Sequence, residues 1–362
     1  MSTLKFPQLT DDAMRRRLEP PTGRMRLIID TDTHNEIDDQ FALAWALLSQ
    51  DRFDVEGVCA EPYSFQHLRD RTNAAYDLLK ANPGAALPPE LAAFRRVAHN
   101  HLSIGSDPHQ LHYDTPAEGM ELSYQEILTV YNKLNEDPTG KVFRGSPGYL
   151  TSLDAPIRSD SAEFIVERAL AQDDRQLYIA AIACLTNIAS ALIMAPEIAS
   201  RIVVLWTSTY PSFVNLNHEP SLNLVQDVVA SQLIYDSGVP LVFLPGYYIG
   251  EQLKLSLADM EKDVRGKGQI GDYLYHLYTH NPVHTLFGIN DHFARTWVIW
   301  DVINIAWLLE PEWVPSQLVR APRLTDDLYW AAERHPHLMR EAYGLDRDAI
   351  FRDFFRKLEQ AP

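Results

Sequence analysis

Between two apolar segments the chain places Asp30-Thr31-Asp32-Thr33-His34-Asn35-Glu36-Ile37-Asp38-Asp39. The segment before it, Met25 to Ile29 with one arginine, reads as a buried parallel strand. The segment after it, Gln40 to Leu48, is built from good helix formers and contains no glycine or proline. A strand, a short acidic loop and a buried helix form the first unit of an open α/β sheet, and ligands bind at such strand tips. Four aspartates and a glutamate at one tip repel one another. A helix N-terminus offsets only part of this, roughly 0.3–1 kcal/mol for each well-placed carboxylate. Capping chemistry explains one or two of these aspartates. The full set points instead to a bound hard divalent cation, because Ca²⁺ and Mg²⁺ take oxygen ligands almost exclusively.

The remainder of the chain fits this beginning. Val55–Ala60, Val142-Phe143, Leu177–Ala183, Ile202–Trp206 and Pro240–Leu244 read as strands, with helical spacing over 68–80, 124–134, 162–171 and 228–235. Alternation of this kind predicts parallel βαβ units with right-handed crossovers. The fold class is therefore α/β: a mostly parallel central sheet with helices on both faces and a mostly helical C-terminal part from Lys254 onward, closed by an amphipathic helix over 346–358. A single domain spanning 1–362 is expected. Residues 82–119, rich in Pro, Gly and His, are expected to be an irregular insertion, a surface loop with a lid over the strand tips as the alternative, since long loops in compact domains are often functional. The spacing of His99, His101, His109 and His112 fits no short zinc pattern.

Net charge and segment composition exclude several partners. A formal charge of −17 argues against nucleic acid, which needs a basic footprint. No apolar stretch is long enough to cross a bilayer, and Met1–Pro21 lacks a signal-peptide core, so a soluble cytoplasmic protein is expected. Cys59 and Cys184 sit in apolar runs and read as small core residues.

Further ligands for a cation at Asp32 and Asp39 should come from other strand tips. Asp301, inside Val298-Ile299-Trp300-Asp301-Val302-Ile303, is poorly placed for solvent, and a buried carboxylate must be paired or metal-bound. An N-cap for the helix that follows accounts for Asp301 equally well. Backbone oxygen at the end of the Leu177–Ala183 strand is a second source. The stretch Asn215-Leu216-Asn217-His218-Glu219-Pro220-Ser221-Leu222-Asn223 is rich in neutral donors and acceptors suited to sugar hydroxyls, although Asn-rich loops are often simple turns.

With these residues in view, the chain resembles the inosine-uridine preferring nucleoside hydrolases, the nucleoside N-ribohydrolase family. Asp30-Thr31-Asp32 with Asp38-Asp39 carries the resemblance. Leu185-Thr186-Asn187-Ile188-Ala189, Ser221-Leu222-Asn223 with Asp227, and Trp300-Asp301 follow in the family's order, over about residues 26–311. The resemblance implies a nucleoside hydrolase-like, Rossmann-like fold and a glycosidase acting on N-glycosyl compounds, as in purine and pyrimidine salvage. It implies Ca²⁺ held by Asp32, Asp39, Asp301 and the carbonyl of Ile182, with Asp32 the general base on a metal-bound water. Asp38 would take the ribose 2′-hydroxyl, and Asn215 and Asn223 the other hydroxyls. Asn35, Glu219 and Trp300 complete the expected substrate contacts. The expected partner is a small ribosyl compound, and the expected assembly a homodimer or homotetramer.

The departures from the family pattern are specific. Two extra residues lie between Asp32 and Asp38, enlarging the loop that holds His34, Asn35 and Glu36. Ser221 replaces a glutamate that holds the 5′-hydroxyl, with His218 and Glu219 as possible substitutes, and Ser64 stands near the place of a sugar-binding asparagine. Trp300 replaces a histidine that can protonate the leaving base, and an indole cannot. His218, His284 and His292 are the neighbouring groups that titrate near neutrality. Two rival readings stay open: a non-catalytic nucleoside or sugar binder that keeps the metal, and a phosphatase with Asp30 as nucleophile.

Overall fold

The computed structural model describes residues 4–214, 220–290 and 295–362. Eight strands form the main sheet. They are β1 (Met25–Thr31), β2 (Phe53–Ala60), β3 (Val142–Phe143), β4 (Leu177–Ala181), β5 (Ile202–Ser208), β6 (Leu241–Pro245), β9 (Ser316–Leu324) and β10 (Trp330–Ala342). Two short strands, β7 (Lys254–Ser256) and β8 (Thr296–Val298), pair separately. The order in the main sheet is β3-β2-β1-β4-β5-β6-β10-β9, parallel throughout except for the antiparallel β9–β10 pair at one edge.

Side chains alternate across the sheet, as period-two geometry requires. Leu27, Ile29, Ala180, Leu205 and Val242 pack into one core with the helices Asp38–Leu47 and Val302–Leu309. Ile28, Ile179, Val204 and Phe243 pack into the other with the helices Thr186–Met194 and Val228–Ser237. Every residue of Asp38–Leu47 is buried, the expected outcome for a helix with no polar face. The chain runs outward from β1 through β2 to β3, then returns to β4 on the other side of β1 and runs outward again. The tips of β1 and β4 therefore flank the point where strand order reverses, and a crevice opens there.

Two expectations need correction. Residues 82–119 are largely helical rather than irregular: Pro89–Phe94, Arg95–Ile104 and Pro108–Gln110 are helical, and Pro116–Lys133 begins within the segment. Pro89, Pro108 and Pro116 open helices at the first turn, where no amide hydrogen is needed, and Gly105 closes one at φ 69°. Leu91, Phe94 and Ala98 pack there on Ala75, Tyr76 and Leu79. The C-terminal part is also less helical than expected, because β9 and β10 extend the main sheet. Both are strands of mixed polarity, β9 at the sheet edge with Pro322 and β10 beside it with Pro336, so neither shows a continuous apolar run.

Candidate active site

Asp32, Asn35, Glu36, Asp38, Asp39, Ile182, Asn223, Trp300 and Asp301 line one cavity at the crevice, with Thr207, Ser208, Ser221, Gly246 and Tyr247 completing its wall. Asp32 follows β1, and its carbonyl accepts from the amides of His34 and Asn35 at 2.6 and 2.9 Å, folding the acidic loop back on itself. The Asn35 side-chain amide donates to Asp32 Oδ2 at 2.5 Å, and Gln226 Nε2 approaches the same oxygen at 3.5 Å. Thr31 Oγ1 donates to Asp39 Oδ1 at 2.5 Å.

Carboxylate oxygens of Asp38, Asp39 and Asp301 lie within 4.8 Å of one another, and all three residues are buried. Capping does not account for them. The helix carrying Asp38 and Asp39 has Ile37 at its N-cap and no side-chain cap, and Asp301 stands at an N-cap position without making a capping hydrogen bond. Burial pushes the carboxyl of Asp38 up to about 7, with Asp39 adding to the shift, and that of Glu36 up to about 8, with Asp38 adding. Asp32, Asp39 and Asp301 are driven well above the usual carboxylate range by burial and then by neighbouring carboxylates, Asp38 acting on Asp32 and Asp301 and Asp32 on Asp39. Among the described residues no lysine or arginine lines the cavity to offset this. An all-oxygen donor set, buried and without a basic partner, suits a hard divalent cation.

A polar layer beneath the tips fixes their position. Asn187, at the start of its helix, donates to Asp30 Oδ1 at 3.0 Å and to the Ala60 carbonyl at 3.1 Å, and its own oxygen accepts from Ser146 N at 2.9 Å. It thereby joins the ends of β1 and β2. Glu61 accepts from Asn187 N at 2.7 Å. Asn304 donates to the carbonyls of Ala181 and Leu205, tying the helix Val302–Leu309 to β4 and β5. Asp227 caps its helix through Ala230 N and accepts from Thr186 Oγ1 at 2.7 Å. Asn223 Nδ2 donates to Thr207 O at 3.1 Å and reaches Ile182 O at 3.4 Å. Gln226, Glu61 and Asn304 carry no sequence signal of their own; they become visible only once the helices are docked.

The other sequence candidates sort clearly. Asn215, His218, Glu219 and His292 lie outside the described residues. Ser221 Oγ is taken up by Ser208 Oγ at 2.8 Å and Thr209 N at 2.9 Å. Ser64 does not line the cavity; its hydroxyl donates to Asp114 O. His284 packs on Trp297 at 5.3 Å and does not line this cavity. His101 is buried and bonded to Ser106 and Leu286, while His109 and His112 pair with Asp77 and Asp114, so the four histidines of 82–119 form no common centre. A second cavity meets the first at Asn35 and is lined by His34, Tyr63, Phe65, Leu111–Asp114, Pro282, Val283, Thr285 and Leu286.

The fold and the site are those of an open α/β sheet with a buried carboxylate cluster, a donor set suited to a metal ion, at its switch point. The sequence profile of the inosine-uridine preferring nucleoside hydrolases matches residues 27–348, and the chain belongs to that family of N-glycosidases. Solved structures share the fold. A purine-preferring ribonucleoside hydrolase from Gardnerella vaginalis superposes with a TM-score of 0.62 at 17% identity, over 93% of this chain and 98% of that one. An inosine-uridine preferring nucleoside hydrolase from Bacillus anthracis gives 0.56 at 15% identity, over 93% and 99%. The type III effector XopQ, solved with adenosine diphosphate ribose, gives 0.51 at 14% identity, over 98% and 99%. An uncharacterized protein of Schizosaccharomyces pombe is 30% identical over 87 residues, which is 24% of this chain and 28% of that relative's length.

Proposed function

We propose that the protein is a Ca²⁺-dependent hydrolase of the N-glycosidic bond of a ribosyl compound. The observation that carries this reading is the cluster of Asp38, Asp39 and Asp301 carboxylates, buried at the strand tips with Asp32 on the same cavity wall. Asp32, Asp39, Asp301 and the Ile182 carbonyl would hold the cation, with Asp38 close enough to join them. When bound, Ca²⁺ supplies positive charge that lowers the pKa of water and of the carboxyls around it.

The chain's own groups perform the remaining work. Asp32, oriented by Asn35 and Gln226, accepts the proton of the attacking water. Breaking the C1′–N bond builds oxocarbenium character on the sugar, which a carboxylate-rich wall stabilises. Asn223 and Asp38 present an amide and a carboxylate to the ribose hydroxyls. A 2′-deoxyriboside leaves the Asp38 acceptor unpaired, at a cost of roughly 1–3 kcal/mol. The deciding experiment incubates the Ca²⁺-loaded protein with ribonucleosides and 2′-deoxyribonucleosides and measures released sugar. Ribosides should lead by at least about tenfold in kcat/KM, equivalent to about 1.4 kcal/mol. No sugar released from any riboside would overturn the reading. Asp38→Asn separates its two roles: loss of the ribose preference with cation affinity kept marks a hydroxyl ligand, and loss of cation affinity marks a metal ligand.

A further inference from the structure

The cavity has a charge and a surface that select among N-ribosides. Five carboxyl groups line it, from Asp32, Glu36, Asp38, Asp39 and Asp301. A divalent cation offsets two of them. Among the described residues, no lysine, arginine or histidine faces this space, and the adjoining cavity also lacks lysine and arginine. A phosphorylated ligand would meet repulsion without a counter-charge, whereas a cationic one is drawn in. Two aromatic side chains, Tyr247 and Trp300, also line the cavity. Tyr247 and Trp300 stand edge to face at 5.7 Å and 90°, with Tyr210 packed behind Tyr247 at 4.6 Å. Aromatic faces of this kind attract cations. Trp300 also supplies no proton to a departing ring, since its indole is a donor only and does not titrate. His34 lies in the second cavity with its ring bonded to the Tyr63 hydroxyl at 2.9 Å.

Resting on the hydrolase reading above, we propose that the preferred substrate is an N-riboside whose heteroaromatic ring is quaternised and positively charged, of the N-ribosylpyridinium class, rather than a neutral nucleoside or a phosphorylated relative. Such a ring leaves without an acid. Water oxygen bonds to C1′, the C1′–N bond breaks, and its electron pair neutralises the ring nitrogen. The products are ribose, a neutral pyridine and one proton, which passes from the attacking water to Asp32 and on to solvent. A neutral nucleoside instead consumes that proton on its leaving base, so no net proton appears.

Two measurements on the full Ca²⁺-loaded chain test this. The first compares nicotinamide riboside with inosine and uridine, following ribose release and proton release in a pH-stat. The pyridinium riboside should lead by about 100-fold in kcat/KM, equivalent to about 2.7 kcal/mol, with one proton per ribose. Equal or faster cleavage of inosine or uridine overturns the proposal. The second is calorimetric binding of 1-methylnicotinamide, methylated on the ring nitrogen and so a charged ring that cannot be hydrolysed, against neutral nicotinamide. The charged ring should bind at least about tenfold more tightly, and equal binding overturns the proposal. Tyr247→Phe should keep this preference, while Tyr247→Leu should weaken the charged ligand by about tenfold and the neutral one by much less; an equal loss on both overturns it. A protein that selects the charged ring yet releases ribose from no riboside would retain this charge preference and lose the hydrolase reading, so the two failures are distinct.

Discussion

At the scale of single residues, the site is a cluster of carboxylates that destabilises the protein until something positive joins it. Asp301 shows this most clearly. It is buried, makes no capping hydrogen bond, and its carboxyl is pushed well above the usual range by burial and then by Asp38 and Asp39. Asp301→Asn should therefore have opposite effects with and without cation. In chelator near pH 8 the variant should melt higher than the natural protein, because one buried negative charge is gone. With Ca²⁺ it should gain little, whereas the natural chain gains about 2.7 kcal/mol at a hundred times Kd. Calorimetric melting in chelator and in Ca²⁺ checks both signs. An undiminished Ca²⁺ gain in the variant would remove Asp301 from the ligand set.

At the scale of elements, the strand–loop–helix unit around Asp30–Asp39 was legible because its apolar flanks need no tertiary context. The same holds for Leu177–Ala181 and Ile202–Ser208, both fully buried strands. The β9–β10 hairpin was not legible, because its half-exposed strands carry arginines, histidines and prolines in place of a clean alternation. It nonetheless supports the site. Glu341 on β10 accepts from Ser212 N at 2.5 Å and Ser212 Oγ at 2.7 Å, Arg334 donates to Ser212 O, and Trp330 donates to Tyr210 O. These bonds fix the segment after β5, between the cavity residues Thr207 and Ser221. Glu341→Gln turns an acceptor toward a donor and should cost about 1–3 kcal/mol of stability. As a positioning change it should raise KM by up to about tenfold while kcat falls much less. Steady-state kinetics beside a melting curve checks this; an unchanged KM would confine Glu341 to a structural role.

For the whole molecule, the two halves of the sheet meet at the place where charge is most concentrated, and stability is tied to pH through that place. Asp30 and Asp38 have carboxyls pushed up to about 7, and Glu36 to about 8, in each case first by burial. The folded chain therefore holds protons that the unfolded chain has released. By linkage, a raised carboxyl pKa contributes stability that is complete below the ordinary value near 4 and is lost as pH rises through 7 to 8. A cation among the same oxygens needs them ionised, so it competes with those protons and binds better as pH rises. The gain in melting temperature from saturating Ca²⁺ over chelator should consequently grow from pH 5.5 through 7 to 8.5. The chelated protein should lose stability over this window, and the Ca²⁺-loaded protein should lose less. A gain that stayed constant or shrank with rising pH would mean that the cation does not bind among these carboxylates.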